Sequence, residues 1–300
     1  MTDVAPSLSV IVASTVPLRE TPACLPALAA QCRGRHAEVI LAYSSDHDSL
    51  EAKVMDLPGV SLIHLPRESS LPRLLGAAIA RATGEIIAIA EATCEIDERF
   101  VSAILKAHEA PYPVIGGAVE PHGLRKLVDW AAYFCEYGQF MLPLAEGVVH
   151  EVPGNNLSIK RWALARGREF VHGEFWKTYW CRRIQADGFQ LYAAPSIVVY
   201  YGKSFRLWRF LVRRFHHGRC FAGMRIPQLS QVKRVFHVVG SPLLPILFCA
   251  RTLRAVLPKR RQRHLLFLSF PIIVLATISW AIGEFFGYLV GAGASCRHVR

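Results

Sequence analysis

The residues best placed to do chemistry follow predicted strands. They are Ser14 and Thr15 after the apolar run at residues 8–13, Asp46 after residues 38–43, and Glu91 after residues 85–90. In an open α/β sheet, ligands bind at the carboxyl ends of the strands. Carboxylates at such an edge can hold a divalent cation or accept a proton. The sequence therefore predicts a small-molecule site at this edge.

Apolar runs and helical spacing alternate in the first 100 residues. The predicted strands are residues 8–13, 38–43, 60–64 and 85–90, and the predicted helices are residues 21–32 and 71–82. The second helix stops at Thr83-Gly84, which is a typical C-terminal signal. This alternation predicts an α/β fold with a doubly wound, mostly parallel sheet.

The middle of the chain is less regular. Residues 114–119 predict a strand whose glycines allow close approach of another backbone or a ligand. Five aromatic residues lie within the helical pattern of residues 124–142, and we expect them in the core. The other predicted elements are a turn at residues 153–156, a strand at 157–159 followed by a helix, a helix at 174–186, and a final strand after Pro195.

Positive charge is concentrated in the last third of the chain. The net charge is +12, of which residues 203–300 carry +16 and residues 1–202 carry −4. Between Lys203 and Arg263 there are 15 Lys or Arg and no Asp or Glu. Such a segment binds nucleic acid or the anionic leaflet of a membrane. Because the basic residues alternate with long apolar runs, we expect an anionic membrane and no nucleic acid.

Two apolar stretches lie in this basic region. Residues 238–257 are interrupted by proline and arginine, which is typical of an interfacial helix. Residues 265–292 are long enough to cross a bilayer, and Pro271 and Glu284 also allow a helical hairpin. The basic run at residues 258–264 should stay on the cytoplasmic side. One membrane span after the basic run satisfies this positive-inside rule. Two spans, one on each side of the run, would not.

Cysteine and histidine predict no metal centre. The 8 cysteines are scattered with no pair at ligand spacing, which predicts reduced, buried thiols in a cytosolic setting. His216 and His217 have no carboxylate or cysteine at ligand spacing. The first residues lack the basic start and apolar core of a signal peptide, so we expect the first domain to face the cytosol.

Ordered landmarks extend over about residues 8–225. They are Val10 to Thr15, Arg73 with Gly76, Ala82-Thr83-Gly84-Glu85, Glu91-Ala92-Thr93-Cys94, Gly116 to Pro121, Pro153 to Ser158, Arg183-Ile184 with Gly188, and Arg213 to Arg219. In this order they resemble the family 2 glycosyltransferases, which have the A-type nucleotide-sugar fold. Each landmark alone is weak, and their shared order and spacing predict the fold.

The resemblance implies sugar transfer from a nucleoside-diphosphate donor. It places Ser14, Thr15, Asp46, Arg73, Glu91 and Thr93 at the donor, and Asn155, Asn156 and Arg214 at the acceptor. Glu91 stands at the first Asp of the family's Asp-x-Asp, so it is the implied ligand of a divalent cation, Mg²⁺ or Mn²⁺. Thr93 replaces the second carboxylate, and Tyr200-Tyr201 stand where many members have a metal-facing His. Both changes should weaken metal binding.

The family's general base lies six residues before Arg183, where this chain has Lys177. An ammonium group cannot accept a proton at pH 7 unless burial strongly lowers its pKa. Glu174 is the nearest carboxylate, on an adjoining face of the predicted helix, and is the substitute candidate. We therefore expect Glu174 and Lys177 to be the catalytic residues.

Two hypotheses explain these departures. In the first, Lys177, Arg73 and the basic segment Arg213 to Arg219 neutralise the diphosphate in place of a metal. In the second, the chain is a catalytically degenerate membrane protein that binds a sugar nucleotide or glycolipid without transfer.

We predict three regions: a nucleotide-sugar glycosyltransferase domain at residues 1–202, a basic amphipathic connector at 203–237 and membrane-associated helices at 238–300. The predicted acceptor is lipid-linked or an envelope polysaccharide at the cytoplasmic membrane, because a soluble acceptor would make an anchor superfluous.

Overall fold

The computed structural model describes residues 6–15, 22, 24–44, 57 and 59–299. The chain forms two compact units. The first, called the sheet unit, comprises Met1–His122 and Leu142–Gly202, and the second, called the helical unit, comprises Gly123–Met141 and Lys203–Arg300. Residues 123–141 thus belong with the C-terminal region, although the sequence placed them in the first domain. The further division of that region at residue 237 stays a prediction.

Four parallel strands form the first half of the sheet. They are β1 (Leu8–Ser14), β2 (Ala37–Ser44), β3 (Val60–Leu65) and β4 (Ile86–Glu91), in the order β3-β2-β1-β4. Helices α1 (Cys24–Cys32) and α2 (Leu71–Arg81) connect them. Every residue of β1 is buried, as expected for a parallel strand covered on both faces. This half confirms the predicted α/β fold.

The second half of the sheet has mixed strand directions. Its strands are β5 (Cys94–Ile96), β6 (Val114–Pro121), β7 (Gly147–Val149), β8 (Asn156–Lys160) and β9 (Leu191–Tyr201). β8 lies antiparallel between β4 and β6, and β9 is parallel to β6 and antiparallel to β5 and β7. Helices α3 (Phe100–Ala107) and α5 (Lys177–Ala186) complete the unit.

Two predicted helix positions are wrong. The segment after β8 forms two 3₁₀ turns, Arg161–Ala165 and Arg168–Phe170, in place of a helix. The helix predicted from Glu174 begins at Lys177. Gly167 and Gly173 have φ values of +65° and +77°, and this left-handed backbone interrupts α-helical geometry at both places.

His108 is a buried histidine that links α3 to β8. Its Nε2 lies 2.7 Å from Ser158 Oγ, and its ring is 6% exposed. Burial lowers the pKa of His108 to about 4, and the nearby charge of Lys160 adds to this effect. The folded chain therefore favours the neutral imidazole.

We expect the sheet unit to lose stability as the pH falls from about 6.5 to about 4. The unfolded chain then takes up a proton at His108 that the folded chain excludes, with a total effect of at most about 3 kcal/mol. Urea unfolding of the full chain at several pH values measures this loss. The variant His108→Gln should show a shallower pH dependence in this window, and an unchanged dependence would contradict the assignment.

The helical unit is built around one long helix. Its helices are α4 (Leu127–Glu136), α6 (Leu207–Arg225), α7 (Gln231–Gly240), α8 (Leu244–Val256) and α9 (Arg263–Val290). Each of the others packs against α9. α6 approaches α9 closely, since a Cβ placed on Gly283 would lie under 3.0 Å from Phe215 O. The aromatic residues predicted for the core are buried in this unit, including Tyr133 and Phe134 on α4.

The prediction that all eight cysteines are reduced is wrong in this unit. Cys220 of α6 forms a disulfide with Cys296, in the 3₁₀ turn Gly293–His298. The two residues are 76 positions apart, so no local spacing signals the pair.

Two segments of the helical unit are long and apolar enough to cross a membrane. They are Gln231–Lys259, which contains α7 and α8, and Arg263–Val290, which is α9. Length and composition alone support a membrane association only weakly, because the core helix of a soluble protein has the same properties.

Candidate functional site

The carboxyl ends of β1 and β4 bring several predicted donor residues together. Ala13 pairs with Glu91, so Ser14 and Thr15 continue β1 beside the end of β4. β8 begins at Asn156 opposite Ala90, which places Asn155 at the level of Glu91. Glu91 and Thr15 are half-buried and border the edge where ligands bind in such sheets. Asp46 lies outside the described residues.

Two polar groups beside this edge lack hydrogen-bond partners among the described residues. They are the buried Thr93 Oγ1 and Asn155 Oδ1. Asn155 Nδ2 donates to Cys94 Sγ at 3.4 Å, so the amide is fixed with its oxygen unused. A buried polar atom without a partner is costly unless a ligand or water satisfies it. Both atoms are therefore candidates for ligand contact.

Asn156 has a structural contact pattern. Its Nδ2 donates to Ala118 O at 2.8 Å and to Ile197 O at 3.0 Å, which joins β8 to β6 and β9. The residue is 1% exposed. Its predicted acceptor contact stays a prediction, and these bonds account for the side chain without an acceptor.

A loop places Glu174 over α2. Phe175 N donates to Pro72 O at 2.7 Å, and a Cβ on Gly76 would lie 2.8 Å from Glu174 N. Only glycine at position 76 allows the loop this close to the helix. Arg73 precedes Gly76 by one helical turn and is exposed, so it is on the same side of α2 as Glu174.

Glu174 and Lys177 are held in different ways. Glu174 Oε2 accepts a hydrogen bond from Trp176 Nε1 at 2.9 Å, and the side chain is half-buried. Lys177 Nζ donates to Val152 O at 2.8 Å and lies 3.9 Å from Glu151 Oε1. Lys177 is thus a donor held against the segment that precedes Asn155. Of the two predicted catalytic residues, only Glu174 offers a proton acceptor.

Four polar residues lie near the paired strands β5, β6 and β9: Glu95, Asp97, His122 and Tyr200. The sequence reasoning missed the first three, and it noted Tyr200 only as standing where many family members have a metal-facing His. His122 Nε2 lies 3.7 Å from Glu95 Oε1, and Tyr200 Oη donates to Asp97 Oδ2 at 3.4 Å. Partial burial raises the pKa of Tyr200, and the Asp97 carboxylate raises it further.

This cluster adjoins Thr93. A Cβ on Gly202 would lie 3.4 Å from His122 O and 4.0 Å from Thr93 O. His122 follows β6, and its N donates to Tyr201 O at 2.9 Å. The chain therefore has a histidine at the end of β6, which pairs with the last strand, β9. Only the pairing of β6 with β9 could have indicated this position.

Arg214 lies in the helical unit with its side chain buried. Its guanidinium is 4.3 Å from the centroid of the Trp280 ring, and Nη1 is 3.9 Å from Glu136 Oε1. Arg213 Nη2 donates to the same carboxylate at 3.1 Å. These contacts give Arg214 a packing role, and its predicted acceptor contact stays a prediction.

Among the described residues, the side chains do not form a site for a divalent cation. Nowhere in residues 6–15, 22, 24–44, 57 and 59–299 do three His, Cys, Asp or Glu side chains converge as metal ligands. At the implied position, Glu91 is followed by a hydroxyl at Thr93 in place of a second carboxylate.

A family model for "Glycosyl transferase family 2" matches residues 9–162, which is just over half of the chain. Comparison with curated protein sequences gives no significant match.

Solved structures share the fold at low sequence identity. A mannosyltransferase, PcManGT from Pyrobaculum calidifontis in complex with GDP-Man and Mn²⁺, is 16% identical with a TM-score of 0.57, and the match covers 96% of this chain and 88% of that one. TarS from S. aureus is 14% identical with a TM-score of 0.50, covering 93% of this chain and 55% of the other. GalNAc-T7 with UDP, GalNAc and Mn²⁺ is 12% identical with a TM-score of 0.50, covering 66% and 44%.

Proposed function

Since the chain belongs to glycosyl transferase family 2 and is a glycosyltransferase that uses a nucleotide-sugar donor, we propose that its acceptor is lipid-linked or an envelope polysaccharide. We also propose that it acts at the cytoplasmic face of the cytoplasmic membrane. The observation that supports this placement is the helical unit, because residues 203–300 carry +16 together with two long apolar segments. An anionic leaflet attracts such a segment and is where lipid-linked acceptors lie.

In the proposed reaction, an acceptor oxygen forms a bond to the anomeric carbon of the donor. The bond from that carbon to the diphosphate breaks, and its electron pair leaves with the nucleoside diphosphate. Glu174 takes the proton of the acceptor hydroxyl, since it is the half-buried carboxylate held over α2. A base in hydrogen-bond reach accelerates such a step.

The leaving diphosphate gains negative charge that must be neutralised. Arg73 is exposed on the same side of α2 as Glu174, and Lys177 is a fixed donor beside the segment that precedes Asn155. We assign both cations to the diphosphate in place of a metal. Hydroxyl groups of the donor would then form hydrogen bonds with Glu91, Ser14 and Thr15.

The test is sugar transfer with a panel of labelled nucleoside-diphosphate sugars, using membranes or lipid extract as the acceptor source. For one donor, we expect label in the organic phase or in polysaccharide, with nucleoside diphosphate released in equal amount. Because the chain's own cations neutralise the diphosphate, a chelator should change the rate by less than about twofold.

The variant Arg73→Gln removes a cation of the protein, for comparison with the chelator, which removes metal ions. It should lower the rate by about tenfold or more, because it removes a charge-assisted contact to the leaving group. Loss of transfer upon chelation would reject the metal-independent mechanism. Stabilisation by nucleoside diphosphates without any transfer would instead support a degenerate binding protein.

A further inference from the structure

Helix α9 has one exposed apolar face. Its exposed side chains recur three or four positions apart along the helix: Leu275, Ile278, Ile282, Phe286 and Leu289. This spacing places them on one side of an α-helix. Most of the positions between them are buried, and they include Glu284.

Two arginines bind the last backbone carbonyl groups of α9. Arg234 Nε donates to Tyr288 O at 2.6 Å, and its Nη2 donates to Leu289 O at 2.8 Å. Arg219 Nε donates to Gly291 O at 3.1 Å. The end of α9 is therefore bound to cations from α6 and α7.

Helix α6 lies along the second half of α9. Ser279 Oγ donates to Leu211 O at 2.7 Å, and Arg219 bonds Gly291 further along in the same direction. Residues 279–291 correspond to about 18 Å at 1.5 Å per residue. α6 contains five arginines and two histidines in 19 residues. If α9 crossed a bilayer, α6 would be drawn into the hydrocarbon core with it, which its charges oppose.

The remaining part of α9 is too short to cross alone. Residues 263–278 correspond to about 24 Å, whereas the hydrocarbon core is about 30 Å thick. α4 also packs against α9 and ends with Glu136, which is paired with Arg213. Neither half of α9 is therefore available as a free transmembrane segment.

Helices α7 and α8 present a second apolar face. Its members are 60–79% exposed and recur at helical spacing: Val232, Val235, Phe236, Val239, Leu243, Ile246 and Leu247. Soluble monomers rarely expose a continuous apolar surface of this kind. We call these seven residues the apolar stripe.

The stripe is accompanied by exposed cations. They are Lys233, Arg251, Arg254, Arg260, Arg261 and Arg263. No Asp or Glu occurs between residues 203 and 263. A second copy of the chain would bring the same positive charge against this surface, whereas an anionic leaflet offers the opposite charge.

We propose that the helical unit lies in the plane of one anionic leaflet, with the apolar stripe and the exposed face of α9 inserted at the boundary of headgroups and acyl chains, and that no helix crosses the bilayer. This inference rests on the proposed membrane location and refines it. A single span or hairpin, both of which the sequence allowed, is replaced by an interfacial unit.

The first test is flotation of the full chain with lipid vesicles after detergent removal. We expect the chain to float with vesicles of phosphatidylcholine and phosphatidylglycerol, and much less with phosphatidylcholine alone. Alkaline carbonate should release it. The double variant Val235→Glu/Val239→Glu should bind anionic vesicles at least about tenfold more weakly. The control Val148→Glu changes an exposed valine on β7 in the sheet unit and should bind as the original does.

The second test locates the loop between α8 and α9. A protease site inserted between Arg261 and Gln262 should be cut from the same side of sealed vesicles as a tag at residue 1. Protection of that site while the tag is cut would overturn the proposal, as would resistance to carbonate. Vesicle-independent dimers that the double variant dissociates would assign the stripe to a second copy and also overturn it.

These outcomes separate the inference from the proposed function. Transfer to a lipid acceptor by a chain whose loop is protected would keep the function and reject the interfacial arrangement. Binding to anionic vesicles with no transfer from any donor would keep the interfacial arrangement and reject the proposed function.

Discussion

Replacing Glu174 by glutamine is expected to lower kcat by about a hundredfold or more, the usual contribution of a general base. The carboxylate lies in the loop over α2 and accepts a hydrogen bond from Trp176. Glutamine preserves the shape and can still accept from Trp176, so only the proton acceptor is lost. Initial rates of transfer at saturating donor measure the effect.

The control is Glu169→Gln, in the 3₁₀ turn that precedes the same loop. Glu169 is exposed, and its replacement should change kcat by less than about twofold, as expected for a surface substitution. If Glu174→Gln transfers sugar at the original rate, Glu174 is not the base. His122, with Glu95 at 3.7 Å, would then be the next candidate to replace.

The second large effect concerns Gly117 in β6. A Cβ there would lie under 3.0 Å from both Ile197 O and Asn156 Nδ2. It would separate the Asn156 amide from the carbonyls of Ala118 and Ile197, leaving buried polar groups without partners. We expect Gly117→Ala to destabilise the sheet unit by about 3 to 5 kcal/mol.

Gly154→Ala serves as the comparison for this substitution. A Cβ on Gly154 meets no atom within 4 Å, so its free energy of unfolding should change by less than about 0.5 kcal/mol. Urea unfolding followed by circular dichroism measures both variants. Equal stability of the two variants would show that β6 can shift away from Asn156.

The sequence predicted the first half of the sheet because its strands are continuous apolar runs. Parallel strands buried on both faces have this pattern, and β1, β2 and β4 follow it. The antiparallel position of β8 between β4 and β6 has no local signal, since strand pairing depends on distant residues. Gly117 was predicted to allow close approach, and the structure confirms this with the backbone of β9.

The candidate site was predictable where it follows strands. Ser14, Thr15 and Glu91 are beside one another because the ends of β1 and β4 pair. Asn155 and Asn156 look alike in the sequence. Within the described part of the chain, the side-chain oxygen of Asn155 has no hydrogen-bond partner, whereas Asn156 is fixed between strands. His122 could not be predicted, because its position depends on the pairing of β6 and β9.

The packing inside the helical unit could not be predicted, because its contacts join residues that are far apart in the sequence. The family resemblance places Arg214 at the acceptor, and that contact stays a prediction. Its packing on Trp280, on a helix more than 60 residues away, has no local signal. Hydropathy makes α9 a candidate span, and it averages over all faces of the helix. The arginines that bind the last carbonyl groups of α9 come from α6 and α7, which no window on α9 contains.

The insertion of α4 between two strands has a consequence for synthesis on the ribosome. α4 is translated about 130 residues before α9, the helix that covers Tyr133 and Phe134. Translation proceeds at about 5–20 residues per second, so α9 is synthesised roughly 6 to 25 s after these aromatic side chains. During that interval they are exposed apolar surface, which favours aggregation. Ending translation at residue 202 would make the exposure permanent, so we expect the shortened chain to aggregate.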